Sequence, residues 1–168
     1  MRSAAAFAAI FVALAAQTTL AGYIFRSGTP IDLVLIVVVY VAIKSGPVTG
    51  LLAGTVAGLI QDALDAGILG IGGLAKTLVG FLAGVLGTQF IVTAPLPRFL
   101  LLLVATSLHA AIFMGLYSLL DLRQFPAPYP SILGQAFSNA FVGVIAFQVA
   151  EWFPGFVDRR RAGRFLRR

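Results

Sequence analysis

The chain has 168 residues, of which 60% are hydrophobic and only 11% charged, with a formal net charge of +6. Soluble domains carry about 25% charged residues, and a chain of this length cannot hide so much apolar surface in one core, so part of its solvent must be lipid. The length fits a single domain, and the absence of cysteine excludes disulfides, thiolate metal sites and cysteine nucleophiles.

A membrane-crossing helix needs about 20 apolar residues, at 1.5 Å each, to traverse about 30 Å of hydrocarbon. Six segments answer to this. The first covers residues 4–24. Arg2, the apolar run and Ala13-Leu14-Ala15 also resemble a secretory signal with a cleavage site, but the run continues past that point, which favours a retained span. The second covers residues 30–44. Thr29-Pro30-Ile31-Asp32 offers a Thr cap, Pro at the first helical position and an acid at the third. Ser45-Gly46-Pro47 then breaks the chain before a third span at residues 47–64. The second and third are short for a full crossing, so they tilt, stop early or sit behind other helices.

The fourth span covers residues 72–92, the fifth 96–120 and the sixth 131–153. Between the last two lies DLRQFPAPYP, residues 121–130, rich in proline and aromatics and poorly suited to a helix. Phe125 and Tyr129 make that segment a plausible contact for a partner. The sixth span ends at Glu151-Trp152, and Trp suits the membrane–water boundary. Residues 1–153 therefore read as an all-α integral membrane domain, a six-helix bundle, followed by a basic tail at 154–168.

Basic residues orient the bundle. With the N-terminus inside, Arg2, Lys44, Arg98 and the tail arginines Arg159, Arg160, Arg161, Arg164, Arg167 and Arg168 all face the cytoplasm, against Arg26 and Arg123 outside. Both termini are expected to be cytoplasmic. The arginine tail reads as an anchor on anionic lipid rather than a nucleic-acid site, because no aromatic–basic platform accompanies it.

Gly46, Gly50, Gly54 and Gly58 are spaced by four, and the next step of four is Asp62. On the fourth span Gly73, Lys76, Gly80, Gly84 and Gly87 keep to one face. Small-residue stripes let helix backbones approach, since lipid supplies no hydrophobic drive between helices. The two spans should form an antiparallel hairpin with Asp62 and Lys76 at similar depth. A buried Asp62–Lys76 ion pair pinning the hairpin is the expectation. The competing readings make Asp62 a marker of the water boundary with Lys76 snorkelling outward, or give the pair a ligand or proton role.

His109 falls near the middle of the fifth span, and Gln135, Ser138 and Asn139 line the sixth, with Asn139 at a comparable depth. Intramembrane ionisable groups are functional suspects, yet one His near amides is more often an interhelical hydrogen-bond knot. No His-Glu metal motif, nucleophile elbow or paired mid-membrane acids are present, so no catalytic residue, metal ligand or cofactor is assigned.

The combination of motifs is more specific than its parts. Residues 30–84, with Pro30-x-Asp32, Gly46-Pro47, Gly-Leu-x-Gln-Asp at 58–62, Leu69-Gly70 and Ala-Lys-Thr-Leu-Val-Gly at 75–80, resemble the rod shape-determining MreD family. The resemblance implies a non-enzymatic scaffold in the bacterial cytoplasmic membrane, part of the cell-wall elongation machinery. Its implied partners are MreC, the actin-like MreB and a RodA-type glycan polymerase with its transpeptidase. It also implies a fold similar to the S-components of energy-coupling-factor transporters. The alternative function is a vitamin-binding subunit of that kind, with an outward pocket near Asp62, Lys76 and Asp121. The lone Trp152, at the other end of the bundle, argues against it.

Overall fold

The computed structural model describes the backbone of residues 3–24, 31–65, 68–90, 92, 94–122 and 129–165, and the side chains within these apart from 3–5, 20–24, 129 and 153–165. Six helices follow one another: α1 (Ser3–Ile24), α2 (Leu33–Ser45), α3 (Pro47–Leu64), α4 (Ile71–Gln89), α5 (Pro95–Leu119) and α6 (Tyr129–Phe165). No strand occurs among the described residues. Among the described residues, four helices are long and apolar enough to cross a membrane, namely Pro47–Leu64, Ile71–Gln89, Pro95–Leu119 and Pro130–Trp152.

The helix starts and stops follow local chemistry. Pro47 occupies the first turn of α3, where its missing N–H costs nothing. Gly46, at a φ of 91°, lets the chain reverse directly between α2 and α3, a conformation that L side chains avoid. Two boundaries depart from expectation. α2 begins at Leu33 with Asp32 as its N-cap, the carboxylate accepting from the Leu35 N–H at 2.9 Å. The Thr29-Pro30 start proposed for it lies outside the described residues. α6 does not end near residue 153 but continues to Phe165, so the first part of the basic tail extends the helix. Of the proline-rich segment, residues 123–128 lie outside the described set, and α6 begins at Tyr129.

α2 is the axis of the molecule. Val34, Leu35, Ile36, Val38, Val39, Val41 and Ala42 are all buried, as expected of a helix apolar nearly all round. At 13 residues it is about 20 Å long, too short to cross about 30 Å of hydrocarbon alone. Around it α1, α3, α4, α5 and α6 stand in that order, each touching the next, whereas α1 and α6 do not meet among the described residues. One side of α2 packs Val34, Val38 and Val41 against Ile10 and Leu14 of α1 and Ala53 and Ala57 of α3. The other side packs Leu35, Ile36, Val39 and Ala42 against Val79, Leu102, Ala140 and Phe147 from α4, α5 and α6.

α3 and α4 form the most intimate pair. A Cβ on Gly50 would strike the Gly80 carbonyl, one on Gly54 the Lys76 carbonyl, and one on Gly80 the Gly50 carbonyl. Gly58 would meet the Cα of Gly73, and Gly84 the Cα of Pro47, each at 2.5 Å. Gly73 is less confined, its nearest neighbour being the Leu59 side chain at 3.1 Å. The four-residue rhythm thus corresponds to backbone-on-backbone contact, and the Thr55 and Thr77 hydroxyls share a hydrogen bond of 2.8 Å across it.

Candidate functional site

Two clusters of charge lie at opposite ends of α2. The first surrounds Lys76, one turn into α4. Its ammonium pairs with Asp32 Oδ2 at 2.8 Å, and both side chains are buried, 4% and 7% exposed. The same nitrogen stands 3.2 Å from His109 Nε2 on α5. Asn139 of α6 accepts from the Asp32 backbone N–H at 2.9 Å through its carbonyl and donates to Thr106 Oγ1 at 3.3 Å. The start of α2 is thereby tied to α4, α5 and α6 through one continuous network.

The chemistry of these partners fixes the tautomer of His109. An ammonium can only donate, so Nε2 presents its lone pair to Lys76 and the ring proton sits on Nδ1. Nδ1 is buried and has no hydrogen-bond partner among the described residues. The ring also stacks on Phe113, with centroids 6.0 Å apart.

The expected Asp62–Lys76 pair is not what forms. Asp62 is buried at the end of α3, but its Oδ2 accepts from the backbone N–H groups of Gly70, at 2.9 Å, and Gly73, at 3.1 Å. A carboxylate is unfavourable at the C-terminus of its own helix and favourable at the N-terminus of the next. Asp62 takes that second option and caps α4, with Gly72 leaving the room its Oδ1 occupies. The glycines at 70, 72 and 73, just beyond an acid one turn before a loop, were the signal for such a cap. Lys76, one turn further along α4, reaches Asp32 instead.

Of the other intramembrane polar residues, His109 and Asn139 enter the Lys76 network, while Gln135 is half-buried and lies outside it. Two residues that sequence reasoning missed, Asp32 and Thr106, complete it. In the sequence Asp32 stands out as a first-turn acid and as part of the Pro30-x-Asp32 motif, with nothing to link it to Lys76. Asp32 and His109 are too few to hold a metal, and among the described residues no group of three His, Cys, Asp or Glu side chains could do so.

The second cluster lies at the far end of α2. Glu151 of α6 receives Lys44 Nζ at 2.6 Å and an Arg98 guanidinium nitrogen at 2.9 Å. Arg98 is almost fully buried and also donates through Nε to the Val92 carbonyl at 3.2 Å. Lys44 and Glu151 are 39% and 33% exposed. The side chains of the tail arginines lie outside the described residues.

These features define an all-helical membrane protein whose buried polar groups join one helix to another. The family model described as rod shape-determining protein MreD matches residues 3–149. That span is nearly the whole chain, and the chain belongs to the MreD family. No curated protein and no solved structure matches it.

Proposed function

We propose that this rod-shape-determining membrane protein is a non-catalytic scaffold that binds MreC and positions the wall-synthesis enzymes, a RodA-type polymerase with its transpeptidase, near MreB. Family membership supplies the setting. The observation that carries the scaffold reading is the Lys76 network, which joins α2, α4, α5 and α6 through buried side chains. A scaffold must present its outer face in one fixed arrangement, and packed interfaces with two discrete states would defeat that purpose. The network and the glycine contacts between α3 and α4 both favour a single arrangement. Partners would then dock single helices on the apolar outer face by side-chain packing.

The proposed setting is the bacterial cytoplasmic membrane with both termini inside. Lys44 and Arg98, expected on the cytoplasmic side, do meet at one end of the bundle, and Asp32 lies at the other end of α2, in keeping with this orientation. The arginine tail would add attraction to anionic lipid, up to about 1 kcal/mol per arginine near the surface.

Extraction of the tagged protein from its own membrane in mild detergent, followed by mass spectrometry of what accompanies it, tests the proposal. Recovery of MreC and wall-synthesis enzymes is the expected result. Recovery of an ATP-driven energising module, or of a stoichiometric small molecule, would overturn it in favour of a vitamin-binding subunit.

A further inference from the structure

Among the described residues, the ring of helices around α2 is open between α1 and α6. Facing that opening, α2 carries Leu33, Val37, Tyr40 and Lys44, spaced i, i+4, i+7 and i+11 and therefore on one stripe. The stripe lies between the side of α2 that packs on α1 and the side that packs on α6. Leu33 touches both halves of the core, Val37 only the α1 half and Tyr40 only the α6 half. Leu33, Val37 and Tyr40 are half-buried, whereas Val34, Leu35, Ile36, Val38, Val39, Val41 and Ala42 are buried, and Lys44 is exposed at the end of the stripe. The Tyr40 ring is held against Phe147 of α6, with centroids 4.9 Å apart, so it forms one wall of the opening.

From the residues on this stripe we infer that the seam between α1 and α6 is a binding site for an anionic phospholipid, its phosphate on Lys44 and one acyl chain along Tyr40, Val37 and Leu33. Two observations select this occupant. The first is charge. Lys44 and Arg98 share one carboxylate, Glu151, so the cluster keeps an excess positive charge. Arg98 is buried, which leaves Lys44 as the cation of this cluster that a phosphate can reach. The second is length. From Leu33 to Lys44 the stripe runs about 16 Å at 1.5 Å per residue, close to one leaflet, or half of about 30 Å of hydrocarbon. A partner's membrane-crossing helix would need the full thickness. The apolar stripe stops where one acyl chain would stop, and the buried Asp32 lies beyond it.

Native mass spectrometry of the full-length protein, incubated in detergent with equal amounts of phosphatidylglycerol and phosphatidylcholine of the same acyl chains, reads the site directly. Retention of phosphatidylglycerol over phosphatidylcholine is expected, and Lys44→Gln should lower that preference about fivefold, the ratio equivalent to about 1 kcal/mol for one basic residue on anionic lipid. Lys44→Arg should keep the preference. Val37→Trp, which fills the seam and leaves the charge alone, should reduce retention of both lipids. Equal retention of the two lipids by the unaltered chain would overturn the assignment. So would a preference untouched by Lys44→Gln, which would place it on the tail arginines. Retention of both lipids unchanged in Val37→Trp, or displacement of lipid from the seam by a partner's helix crosslinked at position 37, would also overturn it. Should Lys44→Gln fail to fold, the unaltered chain and Val37→Trp still decide.

Discussion

The two ends of α2 carry the same chemistry in different solvents. At one end Lys76 and Asp32 are buried together, and every other polar contact they make is also buried. At the other, Lys44 and Glu151 meet at an even shorter distance but stand about a third exposed. Distance does not rank them; solvent does. Removing one partner of a buried pair strands a charge in a low-dielectric interior and costs about 3–5 kcal/mol, whereas an exposed pair contributes about 0–1 kcal/mol because water and salt replace it. The lesson for this fold is that the buried end fixes the bundle while the exposed end can exchange partners, including lipid.

The largest effect is expected from Lys76→Met. It leaves Asp32 with its cap to α2 but no counter-charge, and should destabilise the protein by about 3–5 kcal/mol, measured by unfolding in mixed micelles. Exchanging both partners for apolar residues, Lys76→Met with Asp32→Leu, should recover part of that loss, since a buried pair itself adds little net stability. The recovery is incomplete because Asp32 also caps α2. If the single variant is as stable as the unaltered chain, water reaches the pair and the contrast between the two ends disappears.

A smaller effect is expected where backbone meets backbone. Gly54→Ala puts a methyl group into the Lys76 carbonyl, forcing α3 away from α4 at a cost of about 1–3 kcal/mol. Gly115→Ala, on α5, meets nothing within 4 Å and should be neutral or slightly stabilising. The pair of melting curves separates the packed stripe from an unpacked glycine.

Asp62→Ala removes the acceptor for two α4 N–H groups and should cost about 1 kcal/mol, the usual worth of an N-cap. A loss as large as that of Lys76→Met would restore Asp62 as the main partner of Lys76. Smallest of all, Lys44→Ala should change stability by less than about 1 kcal/mol. That difference should shrink further as salt rises, because exposed charges are screened over about 10 Å at 0.1 M.

Much of the architecture was legible because it is local or periodic. The four-residue glycine spacing placed α3 against α4 correctly, and Gly46-Pro47 marked the start of α3 to the residue. The sequence places His109 beside the amides of α6, but His109 meets Lys76, while Asn139 joins the same network through Asp32 and Thr106. What escaped was pairing between remote elements. The expected partner of Lys76 is the hairpin acid at a similar depth, but Asp62 is drawn to the electropositive start of α4, and the partner comes from α2. The convergence of Lys44, Arg98 and Glu151 was hidden for the same reason: each was read alone as a boundary residue. The opening between α1 and α6 has no sequence signature at all, since it depends on the order in which helices surround α2.

Lys76 is held by Asp32, and this contact, not one to Asp62, ties α2 to α4. A double-mutant cycle tests it, combining Lys76→Met in turn with Asp32→Asn and with Asp62→Asn and following unfolding in mixed micelles. Contacting residues show interaction energies of about 0.5–3 kcal/mol, while independent sites add within about 0.5 kcal/mol. The prediction is strong coupling between Lys76 and Asp32 and near additivity between Lys76 and Asp62. The reverse order would return Lys76 to the α3–α4 hairpin and leave Asp32 without its role.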